Sequence, residues 1–344
     1  MKMTRLFIAL LSLLAVMAGS ARAAETPAKK AITHEDVWLM KRLGTPVPSP
    51  DGKWVVYTVT DPAYDAKDSS TDLWLKSLTD DTPARRITFS KPAEGGQAWS
   101  PDSRKLAFTA KRDGDEVAQI YVLDLAAGGE AERITSLSTG AGAPKWSPDG
   151  SKFLFASSVY PGAMDDEANK KAAKEAKDRK YNARAYETFP PRIWMTWLDE
   201  KRAHLFVQEA RAGAVARDLL AGTKLAATPG FGGPFGNSGE SISGEWTPDG
   251  SAIVFTGLMN RHDGAFANVN AQIFSVPAAG GEPTRLTNDT HSYGSLSFSP
   301  DGKTLLCSFS AEEAGKVYDL SRLASFPWPL TGKAKILTAN LDRA

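Results

Sequence analysis

The sequence predicts an all-β protein, a β-propeller of about five repeat units that is incomplete or open and carries one helical insertion. Three observations predict it. A turn phrase recurs as Ser49-Pro50-Asp51-Gly52, Ser100-Pro101-Asp102-Ser103, Ser147-Pro148-Asp149-Gly150, Thr247-Pro248-Asp249-Gly250 and Ser299-Pro300-Asp301-Gly302. Proline presets φ at the second turn position, aspartate tolerates the third, and glycine accepts the positive φ that starts the next strand. Each phrase leads into apolar residues that alternate with period two, such as Val55, Tyr57 and Val59, or Leu305, Cys307 and Phe309. The units recur at about fifty residues with several short strands in each, the signature of propeller blades; the helices that a parallel sheet would need between strands are absent.

The chain begins with the features of an export signal. Lys2 and Arg5 form a basic start, Leu6 to Gly19 carries no charge, and Ala21-Arg22-Ala23 offers small residues for cleavage after Ala23. The expected location is periplasmic or secreted, with no membrane attachment after cleavage, because the apolar run is short and no second one follows. Removing Lys2, Arg5 and Arg22 from the 41 basic residues leaves 38 against 40 acidic ones. A net charge of −2 gives no reason to expect nucleic acid as a partner.

Thr33 as N-cap, with Glu35 and Asp36 in the first turn, predicts a short helix that Lys41, Arg42 and Gly44 end. The repeat follows. Its second half is marked by Asp72-Leu73-Trp74-Leu75, Gln119-Ile120-Tyr121-Val122, His204-Leu205-Phe206-Val207 and Gln272-Ile273-Phe274-Ser275. It closes on Arg86-Ile87-Thr88, Arg133-Ile134-Thr135, Arg285-Leu286-Thr287 and, more loosely, Lys335-Ile336-Leu337-Thr338. The third unit is stretched between its strands from about Val159 to Lys201. Asp165 to Tyr186, with acids first and bases later, predicts a solvated helix that Pro190 and Pro191 end. The expected organisation is a signal at 1–23, a leading segment with a short helix at 24–46, and blades over 47–344 with the insertion at about 160–200.

Catalytic chemistry is missing from this pattern. The G-x-S-x-G elbow that exposes a nucleophilic serine does not occur, and Gly236-Asn237-Ser238-Gly239 has the wrong spacing. His34, His204, His262 and His291 are scattered. Gly302-Lys303-Thr304 lies at a hairpin corner and lacks the glycine that a phosphate loop needs upstream. Asp61, Asp65, Asp68 and Asp72 do not follow the spacing of a calcium loop. No cofactor or metal is expected. Cys307, the only cysteine, reads as a small core residue, and the tryptophans before the turns (Trp99, Trp146, Trp246) as packing between blades.

The helix from His34, the turn phrases, the Arg-Ile-Thr closures and the insertion leading into Arg192-x-Trp194-x-x-Trp197-x-Asp199 and His204-Leu205-Phe206-Val207 resemble the prolyl oligopeptidase family of serine peptidases, in its acylaminoacyl-peptidase and dipeptidyl-peptidase branch. The resemblance runs from about Thr33 to the end. It implies the N-terminal propeller of a two-part machine whose C-terminal α/β-hydrolase domain carries Ser, Asp and His. This chain matches the first part only, so it is expected to be inactive alone, restricting and orienting peptide substrates for a hydrolase domain that it lacks.

The resemblance also implies acidic side chains that reach from the propeller to the ammonium of a substrate. Glu187 is the candidate for that role, with Arg192 as a partner for a substrate carboxylate or carbonyl. The family propeller usually has more blades, so the chain is expected to stop within the propeller and to self-associate through its open edges. The alternative is a stand-alone periplasmic TolB-like propeller for protein–protein interaction.

Overall fold

The five turn phrases fold as equivalent corners in the computed structural model, which describes residues 31–181, 183, 192–193, 196–198, 201–236, 239–265, 267–312 and 320–341. At the third corner the Ser147 hydroxyl donates to Asp149 Oδ1 at 2.6 Å and accepts from the Lys152 amide at 2.9 Å, and Gly150 takes φ +72°. Ser49, Ser100, Thr247 and Ser299 repeat both bonds. The side chain thus closes the turn by satisfying a backbone donor locally. Ser103 stands where the other corners have glycine. It takes φ 60°, and its hydroxyl accepts from the Asp51 amide of the preceding corner at 3.0 Å.

Each corner joins two neighbouring strands of an antiparallel sheet, the first two in blades II to V and the second and third in blade I. Blade I comprises Arg42–Leu43, Val47–Pro48, Trp54–Asp61, Ser70–Ser77 and Arg85–Arg86. Blade II comprises Gly95–Trp99, Lys105–Ala110, Gln119–Asp124 and Glu132–Arg133. Blade III comprises Gly142–Trp146, Lys152–Val159, Arg202–Glu209 and Arg217–Asp218. Blade IV comprises Gly244–Trp246, Ala252–Leu258, Ala271–Pro277 and Thr284–Arg285, and blade V Ser292–Phe298, Thr304–Ser310, Arg322–Pro327 and Lys335–Ile336.

The innermost strand of each blade is the one that sequence periodicity does not announce. In blades II, III and V its register slips by a β-bulge, between Gly95 and Ala98, Gly142 and Lys145, and Gly294 and Ser297. The same position in each repeat takes the left-handed conformation: Gly96 at φ 61°, Ala143 at 52° and Ser295 at 48°. A bulge breaks strict alternation and adds local twist.

Four hydrophobic clusters fill the four interfaces between successive blades. Val56, Leu73 and Phe108 belong to the first, Ile120, Phe153 and Phe206 to the second, Leu205, Phe255 and Phe274 to the third, and Ile273, Cys307 and Phe326 to the fourth. The expected role of the pre-turn tryptophans is met, and each also carries a hydrogen bond one blade back. Trp99 Nε1 donates to the Val47 carbonyl at 3.0 Å, and Trp246 Nε1 to that of Lys145 at 3.2 Å; Trp146 does the same toward blade II. No fifth cluster joins blade V to blade I among the described residues, so the sheets form an open arc.

The closing phrase also has a physical job. Thr88, Thr135 and Thr287 accept through Oγ1 from the amides of Leu73, Ile120 and Ile273, each at 2.9 Å, and the arginine two residues earlier donates Nε to each threonine carbonyl. Thr338 takes the Leu323 amide in the same way.

Two expected helices are shorter than their sequence signals. The first, α1, is only His34–Trp38; Thr33 is its N-cap as expected and forms a capping box with Asp36, but Arg42–Leu43 is strand, paired with Val59 and Thr60. The demand of Trp54–Asp61 for an inner partner overrides the weak helical signal. The second, α2, spans Asp166–Asp178, capped by Asp165, and stops at Arg179 well before Tyr186. A third, α3, Lys224–Ala227, follows blade III.

Candidate functional site

In an antiparallel blade, the loops between the second and third strands lie at the end opposite the Ser-Pro-Asp-Gly corners. The insertion leaves blade III there, after Val159, and the third strand of the blade begins at Arg202. Its base is fixed by named contacts. Asp166 accepts from the Ser138 amide at 2.8 Å and from the Ser138 hydroxyl at 2.7 Å, which ties α2 to blade II. Buried Asn169 accepts from the Tyr160 amide, and Lys201 Nζ lies 5.1 Å from the centre of the Tyr160 ring.

Of the two candidate residues, Glu187 lies outside the described residues, as do Trp194 and Asp199. Arg192 is placed. It sits on a two-stranded hairpin, Arg192–Ile193 against Thr196–Trp197, where Arg192 and Trp197 are register partners. The Arg192 guanidinium lies over the Trp197 ring with Cζ 5.3 Å from its centre, and both side chains are exposed. Stacking of this kind holds a guanidinium in place while leaving its N–H edge for an anion.

A second hairpin, Phe235–Gly236 with Gly239–Glu240, precedes blade IV and has no counterpart among the sequence expectations. Glu240 Oε1 accepts from the amides of Gly233 at 2.9 Å and Ala203 at 3.3 Å, so it links this hairpin to the strand that follows the insertion. Glu240 Oε2 pairs with Arg261 Nη1 at 2.9 Å, with both side chains almost wholly enclosed. The Arg261 guanidinium also lies 4.6 Å from the centre of the Phe235 ring, and burial lowers its pKa. The Gly-Gly pair is what admits it: a Cβ on Gly232 would meet Arg261 Nη1 at 2.1 Å. The signal was present in Phe231-Gly232-Gly233-Pro234-Phe235, but a charged clamp 21 residues away in sequence has no local signature.

His204, Asp218 and Cys307 serve the fold. His204 Nδ1 lies 2.8 Å from Asp218 Oδ2, while Asp218 Oδ1 accepts from the amides of Leu220 and Ala221. Asp218 stands in blade III where Arg86, Arg133 and Arg285 stand in blades I, II and IV, and Leu220 stands where those blades have threonine. Ser157 lies across the strand pair from His204, but its hydroxyl donates to the Gly140 carbonyl at 2.6 Å and pairs with Thr139. Cys307 is fully buried, and burial pushes its thiol up to about 11. Among the described residues no three or more His, Cys, Asp or Glu side chains gather as metal ligands would.

Comparison with known proteins agrees with this architecture. Residues 32–180 match the family described as TolB beta propeller domain. The chain is 25% identical over 308 residues to dipeptidyl-peptidase 5 of Porphyromonas endodontalis, covering 87% of this chain and 41% of that protein. It is 24% identical over 304 residues to dipeptidyl-peptidase 5 of Porphyromonas gingivalis, covering 85% and 40%. The acylaminoacyl peptidase of Pyrococcus horikoshii superposes with a TM-score of 0.61 at 16% identity, over 91% of this chain and 42% of that one, a likeness of fold. The chain therefore spans about two fifths of the length of the peptidases it matches. Its blades have the fold of a β-propeller, TolB-like over residues 32–180, and the two dipeptidyl-peptidases named above match it over most of its length.

Proposed function

We propose that the chain is the propeller portion of an exported serine peptidase of the prolyl oligopeptidase family, restricting and orienting peptide substrates for a hydrolase domain. The observation that carries this reading is the match to dipeptidyl-peptidase 5 along 87% of the chain. Export rests on the basic, apolar and small-residue succession before Ala24. In this reading the insertion is the substrate-facing part: Arg192, held over Trp197, meets a substrate carboxylate or carbonyl, and Glu187 meets the ammonium. The open arc leaves the outer faces of blades I and V to pair with further blades or with a second copy.

The DNA following the codon for Ala344 tests the reading. A segment encoding G-x-S-x-G and then Asp and His supports it, and an unrelated gene overturns it. The purified chain is expected to leave dipeptidyl and acyl-aminoacyl chromogenic peptides uncleaved and to resist a serine-directed probe. In the assembled enzyme, Arg192→Ala is expected to raise KM more than it lowers kcat. A second reading, a stand-alone TolB-like propeller that recruits partner proteins by one face, is favoured by the match of residues 32–180 to the TolB beta propeller domain. It predicts a complete, stable protein with no hydrolase segment encoded nearby.

A further inference from the structure

Between blades II and III, at the outer rim, lies an open cavity of about 560 Å³. Its walls are largely apolar: Leu137 from blade II, Phe206 from the third strand of blade III, Ala214, Val215 and Ala216 from the loop beyond, and Met164 from the base of the insertion. A volume of that size suits a small ligand or one or two side chains.

The repeat shows what chemistry belongs in this place, because the same crevice recurs at neighbouring interfaces and is treated differently in each. Between blades I and II, Tyr121 and Leu123 stand where Phe206 and Gln208 stand in blade III. There the crevice is held by a cation: Arg112 lies 4.8 Å from the centre of the Tyr121 ring and pairs with Glu94 at 3.0 Å. Between blades III and IV the chain fills the corresponding place itself with α3. Leu225 is buried in one cluster with Phe274 and Val276, the counterparts of Phe206 and Gln208, while its neighbour Lys224 stays exposed. The amides of Lys224 and Leu225 donate to the Glu282 carboxylate at 3.0 Å each.

The II–III crevice keeps the aromatic ring of the plugged interface in Phe206, has Gln208, turned to the Ile134 carbonyl, in place of Val276, and has no plug among the described residues. Three carboxylates line it: Asp218 is held inward by His204 and the Leu220 and Ala221 amides, Asp166 by Ser138, and Asp165, which caps α2 through the Ala168 amide, stands at the edge. Arg217 lines it too, but its guanidinium turns away to the Ala279 carbonyl of blade IV. Lys170 offsets Asp166 at 3.1 Å, so the balance at the rim remains negative.

We propose that this crevice is a binding site for a short segment of a partner protein that places a leucine-sized side chain beside a basic one, as Lys224-Leu225 does one interface along. The aliphatic side chain enters between Phe206 and Leu137, and the basic group meets the Asp165 edge. The site lies on the rim of the arc and does not depend on whether the chain serves a hydrolase domain.

The test uses the full chain and one probe: its own 223–227 sequence as an amidated pentapeptide carrying fluorescein on its N-terminus, so that the lysine stays charged, followed by fluorescence anisotropy. Saturable binding is expected, weakened at least tenfold by Ala216→Trp, which fills the crevice, and equally by serine in place of leucine in the peptide. Val215→Lys, at a side chain 90% exposed and therefore tolerant of change, is expected to weaken binding through charge if Ala216→Trp does not fold. Asp165→Asn is expected to weaken it severalfold and to reduce its salt dependence. Absence of saturable binding, or equal binding of the serine peptide, overturns the proposal. So does self-association of the chain that Ala216→Trp abolishes while the peptide fails to bind, because that assigns the crevice to a second copy.

Discussion

Trp146 Nε1 donates to the carbonyl oxygen of Ala98 at 3.1 Å, so a side chain from blade III closes a backbone group of blade II. The two residues are 48 apart in sequence, one full repeat. Trp146→Phe keeps most of the ring volume and leaves the carbonyl unpaired. It is expected to cost about 1 kcal/mol in urea denaturation. Trp146→Ala adds a cavity next to Phe153, whose ring centre lies 4.2 Å away, and is expected to cost about 3 kcal/mol or more. Equal losses for the two variants would show that the hydrogen bond, not the packing, dominates.

The corner at Ser147 makes stability depend on acid. Hydrogen bonds from Ser147, and then from the Ser151 amide and hydroxyl, lower Asp149 to about 2. A depressed carboxylate adds stability that is present above its unfolded pKa near 4 and is lost as pH falls toward 2. Asp51, Asp102, Asp249 and Asp301 are lowered first by the equivalent Ser or Thr. Ser147→Ala is therefore expected to destabilise at pH 7 and to differ less from the parent at pH 2.5, measured by denaturant midpoints at both values. A difference that grows on acidification would contradict the assignment.

The Glu240 clamp is expected to be sensitive to its charge and its length alike. Glu240→Ala leaves Arg261 buried without its anion and two amides without an acceptor, which is expected to cost about 3 kcal/mol. Glu240→Gln keeps an acceptor for the amides of Gly233 and Ala203 and is expected to lose less. Hydrogen exchange at Gly233 and Ala203 reports the same order: fast in the alanine variant, intermediate in the glutamine variant.

Ala143 holds a left-handed backbone conformation at the bulge of the third inner strand, where blade II has Gly96. An L-residue with a Cβ pays roughly 1 kcal/mol there, and glycine does not. Ala143→Gly is expected to raise the unfolding midpoint slightly, although glycine loses more chain entropy on folding. Ala143→Val, β-branched at the same φ of 52°, is expected to lower it clearly.

Much of this fold was legible in the sequence because blades announce themselves locally. Proline, aspartate and glycine at Pro148, Asp149 and Gly150 fix a corner within a few residues, and Phe153 and Phe155 set the strand that follows. The insertion was legible from where the pattern stops, at Val159 and Lys201. The inner strands were not, because the bulges at Gly96, Ala143 and Ser295 interrupt the alternation that reveals a strand. Nor was the Arg192–Trp197 stack, because a hairpin of two-residue strands has no periodicity. The Glu240–Arg261 clamp and the Leu225 plug depend on contacts between loops of different blades, and such contacts leave no trace in either loop alone.

The succession of four interfaces, each between blades adjacent in the chain, makes the arc nearly one-dimensional. In such an array stability is close to a sum of unit terms and nearest-neighbour coupling terms. Blades II, III and IV are coupled on two sides, whereas blades I and V are coupled on one among the described residues. Protection of amides should therefore fall from the middle of the chain toward both ends, and a severe lesion in blade III should split one cooperative transition into two.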